Sequence, residues 1–229
     1  MQPYFFPYLG YFHLINLVDK WIVFDTVQYL RHSWGNRNRI LHPNSGWQYI
    51  TVPLVKHTRG TPIKEIITSE KTDWRSRIIR QLDHYKNEAL NFKETIQLVE
   101  DCLFVDEIYL SRLNTSIIDE LCKRLDITFN HCFLSEMNIE IGPIENPGDW
   151  ALIISKSLGA DEYINSPGGA HLFDRRKFEQ AGIKITIQDY QNVEYQCGSY
   201  EYIPALSIID VLMWNPIDKI KKHLDCTFS

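Results

Sequence analysis

Four consecutive residues, Asn36-Arg37-Asn38-Arg39, carry the densest polar chemistry in the sequence. A guanidinium is a planar fork that matches the paired oxygens of a carboxylate or phosphate. An asparagine amide supplies both donors and an acceptor. On a strand, Arg37 and Arg39 share one face while Asn36 and Asn38 share the other. The pattern points to an anion clamp with amide partners. The competing reading is a solvated loop with ordinary ion pairs.

A second cluster, Lys56-His57-Thr58-Arg59-Gly60, follows an apolar stretch ending at Leu54. Gly60 would let backbone amides approach a ligand, so His57, Arg59 and Gly60 join the candidate binding residues. The alternative is a hairpin loop with surface charge. A third is the opening run from Gln2 and Tyr4 to His13, stiffened by Pro3, Pro7 and Gly10. His13 is the imidazole here, and histidine titrates near neutral pH. It is a candidate general base, against the reading of a satisfied core histidine. Asp25 and Gln28 follow the run Trp21-Ile22-Val23-Phe24. Asp25 is either a proton acceptor or orienting carboxylate, or the close of an Asx turn. The run Ser166-Pro167-Gly168-Gly169-Ala170-His171 reads as a turn.

Other chemistries lack their signatures. No His or Cys spacing suits a structural metal. There is no GxSxG elbow and no GxxxxGK loop. The residues name no cofactor.

These groups need a scaffold. The spacing predicts a helix over 11–18, strands over 21–24 and 48–54, and a third strand over 63–67. From Thr72 to Leu125 apolar residues recur at helical spacing, with a break near Asn91. Strands follow at 129–134, 162–164 and 183–187, separated by helices at 150–158, with Asp149 as its cap, and 173–180. Ser207 to Leu212 opens a closing helix. The expected class is α/β: a mixed sheet with flanking helices and a helical insertion near 72–125. The chain reads as one domain over 1–229, with 72–125 as a helical subdomain.

Composition sets the outer limits. At 229 residues the chain has room for a real core. A net charge of −5 argues against extended nucleic-acid binding, though not against a local basic pocket. The five cysteines form no CxxC pair and read as reduced, unreactive thiols. No run reaches the ~18 apolar residues of a membrane helix. The opening Met1-Gln2-Pro3-Tyr4 lacks the basic start of a signal peptide. A cytoplasmic protein without membrane insertion is expected.

Several stretches together resemble the WbqC-like family. They are Met1 through Phe12, Val18-Asp19, Phe24-Asp25, Gln28-Tyr29 and Asn36 through Ile40. Trp74, Tyr85, Leu158 through Ile164, Gly168-Gly169, Tyr195-Gln196 and Leu206 through Leu212 fit as well. The resemblance implies a place in bacterial O-antigen or surface-polysaccharide biosynthesis, with glycyl transfer to an amino sugar as the suggested activity. A nucleotide-linked amino sugar would be the partner. Arg37, Arg39 and Arg59 would hold its diphosphate, and Trp34, Tyr4 or Tyr29 would stack on a ring. His13, then Asp25, would take the amine proton, and Asn36 or Asn38 would face the oxyanion. The acyl donor stays open among an aminoacyl-tRNA, a thioester and an adenylate. A non-catalytic nucleotide-sugar-binding or accessory role is the alternative.

Overall fold

The computed structural model describes residues 1–225; Cys226, the fifth cysteine, lies outside them. Among the described residues, helices α1 (Leu9–Asn16), α2 (Trp74–Gln81), α3 (Phe92–Leu103), α4 (Leu110–Leu125), α5 (Asp149–Ser157), α6 (Arg175–Gln180), α7 (Ile208–Trp214) and α8 (Ile217–Asp225) are interspersed with six short strands. The strands are β1 (Trp21–Val23), β2 (Arg37–Leu41), β3 (Trp47–Thr51), β4 (His131–Phe133), β5 (Glu162–Asn165) and β6 (Lys184–Ile187). The class is mixed α/β. The strands make three separate pairs: β1 with β4 and β5 with β6 are parallel, and β2 with β3 is an antiparallel hairpin.

Local pattern accounts for most elements. In α4, Leu110, Leu113, Ile117, Ile118, Leu121 and Leu125 recur every three or four residues and are buried. The helix stops at Asp126, which adopts the left-handed conformation. Trp74, Ile78, Leu82 and Tyr85 are fully buried in the same core as Phe5, Phe12, Ile40 and Ile209. Each such side chain contributes about 1.5–3 kcal/mol. Helices α2 to α4 therefore help build the core around the N-terminal motif.

Two expectations need correction. The segment 63–67 is no strand: Ile63–Glu65 is a 3-10 turn. Its Ile63 and Lys64 amides donate to the carbonyls of Val27 and Asp25, which pulls the chain around. Asp149 does not cap α5. Its carboxylate accepts from the Glu145 and Asn146 amides and from Lys177. These donors hold it ionised below the ordinary carboxylate range.

A buried carboxylate joins the hairpin to α7. Asp210 accepts from the Tyr85 hydroxyl at 2.5 Å and the Tyr195 hydroxyl at 2.7 Å. Tyr85 in turn accepts from the Leu41 amide of β2. Burial pushes the Asp210 carboxyl up to about 6, against the pull of those hydroxyls.

Candidate functional site

The β2–β3 hairpin carries the candidate site. Strand alternation puts Asn38 and Ile40 into the core and leaves Arg37 and Arg39 half-buried. The register sets Arg39 opposite Tyr49 and Leu41 opposite Trp47. The Arg37 guanidinium lies 4.1 Å from the centre of the Tyr49 ring. Arg39 lies between Trp34 at 5.4 Å and Trp47 at 5.2 Å. Both indoles are exposed. Cation–π contacts of this kind contribute about 0.5–1 kcal/mol each at exposed sites.

The guanidiniums are lightly tethered. Arg37 donates to the His32 carbonyl at 2.7 Å, and Arg39 to the Ala205 carbonyl at 3.4 Å. The Nε of each is buried without a partner. Among the described residues, no carboxylate forms a salt bridge with Arg37, Arg39 or Arg59. Residues 1–81 hold eleven Lys and Arg against five Asp and Glu, while 82–229 hold thirteen against twenty-four. An acidic molecule therefore carries this candidate site on a basic first third.

The N-terminal motif is the bed of this site. The Phe5 amide donates to the Trp34 carbonyl. Asn114, fully buried on α4, donates to the carbonyls of Pro3 at 2.9 Å and Gly35 at 2.7 Å. Asn38 donates to those of Phe5 and Phe6. The Tyr11 hydroxyl holds the Gln2 carbonyl, and Tyr4 packs on the Tyr11 ring. The Gln2 carbonyl and the Tyr4 ring thus both meet Tyr11 of α1.

The second cluster adjoins the first through Tyr29. Its hydroxyl donates to Asn36 Oδ1 at 2.7 Å, and its ring meets His57 edge-on. Burial raises the Tyr29 hydroxyl above its ordinary value. Asn36 donates onward to the Val52 carbonyl. Lys56, Arg59 and Gly60 are exposed in the loop beside it, and Gly60 sits at φ 94° with open space around it. Gln28 is exposed and bridges to Pro62.

His13 and Asp25 lie elsewhere, each about 1% exposed. Gln188 Nε2 reaches both His13 Nδ1, at 2.6 Å, and the Gly10 carbonyl, at 2.8 Å. A reversed amide would set two oxygens together, so Nδ1 is the acceptor and Nε2 carries the proton. Burial lowers the tendency of His13 to protonate. Asp25 accepts from the Ser135 amide at 3.0 Å and hydroxyl at 2.6 Å, just past β4. The two side chains are held by different parts of the chain.

The sequence reading did not single out Trp47, Tyr49, His32 or Ala205. Trp47 and Tyr49 stand two apart, as Arg37 and Arg39 do, which is the one local signal of a shared face. Nothing in the sequence places Ala205 beside them. Among the described residues, no cluster of His, Cys, Asp and Glu is arranged for a metal. Cys102, Cys122 and Cys197 are buried free thiols, with Cys102 and Cys197 pushed up to about 12 by burial. Cys132 is half-buried and its thiol meets the Met137 sulfur.

The model of the WbqC-like protein family matches residues 2–222. The chain belongs to this family. It is also 30% identical over 218 residues to uncharacterized protein Rv1507c of Mycobacterium tuberculosis, covering 93% of this chain and 90% of that one. No solved structure matches. Among the described residues, no helix is long and apolar enough to cross a membrane.

Proposed function

We propose that the β2–β3 face binds a nucleotide-linked amino sugar, and that the protein transfers a glycyl or other aminoacyl group to its amine in surface-polysaccharide (O-antigen) synthesis in the cytoplasm. One observation carries this reading. The Arg37 and Arg39 guanidiniums lie beside three aromatic rings, and among the described residues no carboxylate forms a salt bridge with them. A diphosphate suits the guanidinium edges, and a base or sugar ring suits the exposed indoles. Arg59 and His57, from the adjoining loop, extend the same surface.

The chemistry is amide formation. The sugar amine attacks an activated acyl carbon, loses a proton, and expels the leaving group of the donor. Asn38 has its two amide hydrogens on carbonyls and Asn36 one of its two, so the arginines and the remaining Asn36 hydrogen are the donors for a developing oxyanion. His32 is exposed, and its Nδ1 lies 3.5 Å from Arg37 Nη1. With His57 it supplies an imidazole at this face that could take the amine proton.

The burial of His13 and Asp25 favours a second reading, in which the protein binds the nucleotide sugar as a non-catalytic accessory protein. One experiment separates the two. A nucleotide-linked amino sugar is incubated with the protein, glycine, ATP and cell extract, so that tRNA, thioester and adenylate donors can all form. Mass spectrometry should show the mass gain of a glycyl amide. Calorimetric binding of the nucleotide sugar without that product would establish the accessory role. Absence of both would remove the reading.

A further inference from the structure

Three stretches far apart in sequence meet at Arg39. Its amide donates to Asn38 Oδ1 at 2.8 Å, and its carbonyl accepts from the Ser207 amide at 2.8 Å. Asn38 Nδ2 and Ser207 Oγ both donate to the Phe6 carbonyl, each at 2.8 Å. The ring of contacts closes through Arg39, Asn38, Phe6 and Ser207. Asn38 and Ser207 are almost wholly buried. The Arg39 side chain then reaches the carbonyl of Ala205, two residues before Ser207.

Two residues of this assembly are strained. Phe6 sits at φ 41° and Ala205 at φ 54°, in the left-handed region that non-glycine residues seldom enter. Such backbone persists only where its surroundings over-determine it. At Phe6 the surroundings are the two donors on its carbonyl. Ala205 is exposed, so packing of its methyl does not explain its conformation. Its carbonyl faces the Arg39 guanidinium.

We propose that Ala205 and Ser207 are positioning residues for the anion site, with Ser207 fixing the main chain of Arg39 and the strained Ala205 turn aiming its guanidinium. The proposal deepens the nucleotide-sugar reading, since it takes Arg39 as the ligand's anchor. It assigns the segment at 205–207 to the binding face, although it lies 166 residues beyond Arg39.

The test uses the full chain, inorganic pyrophosphate as probe, and the Arg39 Nε–Hε signal in the nitrogen-15 NMR spectrum. Ala205→Gly relieves the strain at an exposed position and frees the turn. Its melting temperature should stay at or near that of the wild type. Its Arg39 signal should broaden, and pyrophosphate should bind about three- to tenfold more weakly. Ala205→Asn should retain both properties, because asparagine tolerates the left-handed region. Ser207→Ala, which removes one of the two donors on the Phe6 carbonyl and the hydroxyl that accepts from the Ile209 amide, should show the larger loss of Arg39 order, read beside its own melting temperature. Wild-type Arg39 order in both Ala205→Gly and Ser207→Ala would overturn the proposal. If the wild type ignores pyrophosphate altogether, the nucleotide-sugar reading fails. The Arg39 signal then decides positioning alone: broadening in Ala205→Gly at an unchanged melting temperature supports it, and an unchanged signal overturns it.

Discussion

Arg39 on β2 and His13 on α1 are both flanked by aromatic side chains, and both belong to motifs rich in polar and aromatic residues. Arg39 lies between two exposed indoles, with one long hydrogen bond from its guanidinium. His13 is sealed against Tyr190, with its Nδ1 held at 2.6 Å by Gln188. Asp25 resembles His13, with both oxygens taken by Ser135. A buried polar group must be hydrogen-bonded or it costs folding energy. Those bonds are also what withdraw it from a ligand. By that criterion the candidate face is the hairpin, where polar groups keep unused capacity.

The comparison breaks most readily at Asp25. Asp25→Ala should cost about 3 kcal/mol of stability, because it removes two hydrogen bonds to a buried carboxylate from Ser135. Urea unfolding measures this. Nucleotide-sugar affinity per folded molecule should stay unchanged, and a normal stability with lost binding would move Asp25 into the site. His13→Ala should cost about 2 kcal/mol for the same reason, since Gln188 loses its acceptor and Tyr190 a neighbouring ring. Turnover per folded molecule should survive. A loss of turnover in the range expected of a missing general base would make His13 catalytic after all.

The hairpin should respond in the opposite way. Arg39→Lys keeps the charge but loses the flat fork. Affinity for a nucleoside diphosphate should fall about tenfold, or about 1.4 kcal/mol, with little change in melting temperature. Arg37→Lys should act similarly through Tyr49. Calorimetry that finds both variants at wild-type affinity would remove the anion clamp.

What the sequence revealed followed the range of the interactions. The run Trp21–Val23 is legible as a strand because its apolar residues sit together between polar flanks. The alternation of Arg37 and Arg39 is legible because strand geometry is local. Segment 63–67 looked like a strand for its isoleucines, yet amide bonds from Ile63 and Lys64 to distant carbonyls bend it into a turn. His13 stood out as an imidazole among aromatics. Its partner Gln188 lies 175 residues away, which no local pattern announces. Ala205 and Ser207 were hidden for the same reason. The long motif at the N-terminus was visible. What its residues do depended on carbonyls that Asn38, Asn114 and Ser207 hold from remote parts of the chain.

The smallest effect sharpens the comparison through pH. Burial is the main cause that holds the folded His13 below its ordinary value of 6.5, and His223 adds to it. The unfolded chain then binds the proton first as pH falls. The contribution of a neutral His13 is fully present above about pH 6.5 and is lost as pH drops below it. Asp210 has the opposite sign. Its folded value of about 6 lies above the ordinary 3.8, so the folded chain holds the extra proton between them. That contribution is present below about pH 3.8 and is lost as pH rises toward 6. Between these limits the two slopes oppose each other, and the wild-type profile should be shallow. His13→Gln removes one of them. Its stability relative to wild type should improve as pH falls from 7 toward 5, read as a shift in the urea midpoint at each pH. A constant gap across that range would mean that His13 titrates alike folded and unfolded. The imidazole would then be open to solvent, and the contrast with Arg39 would lose its basis.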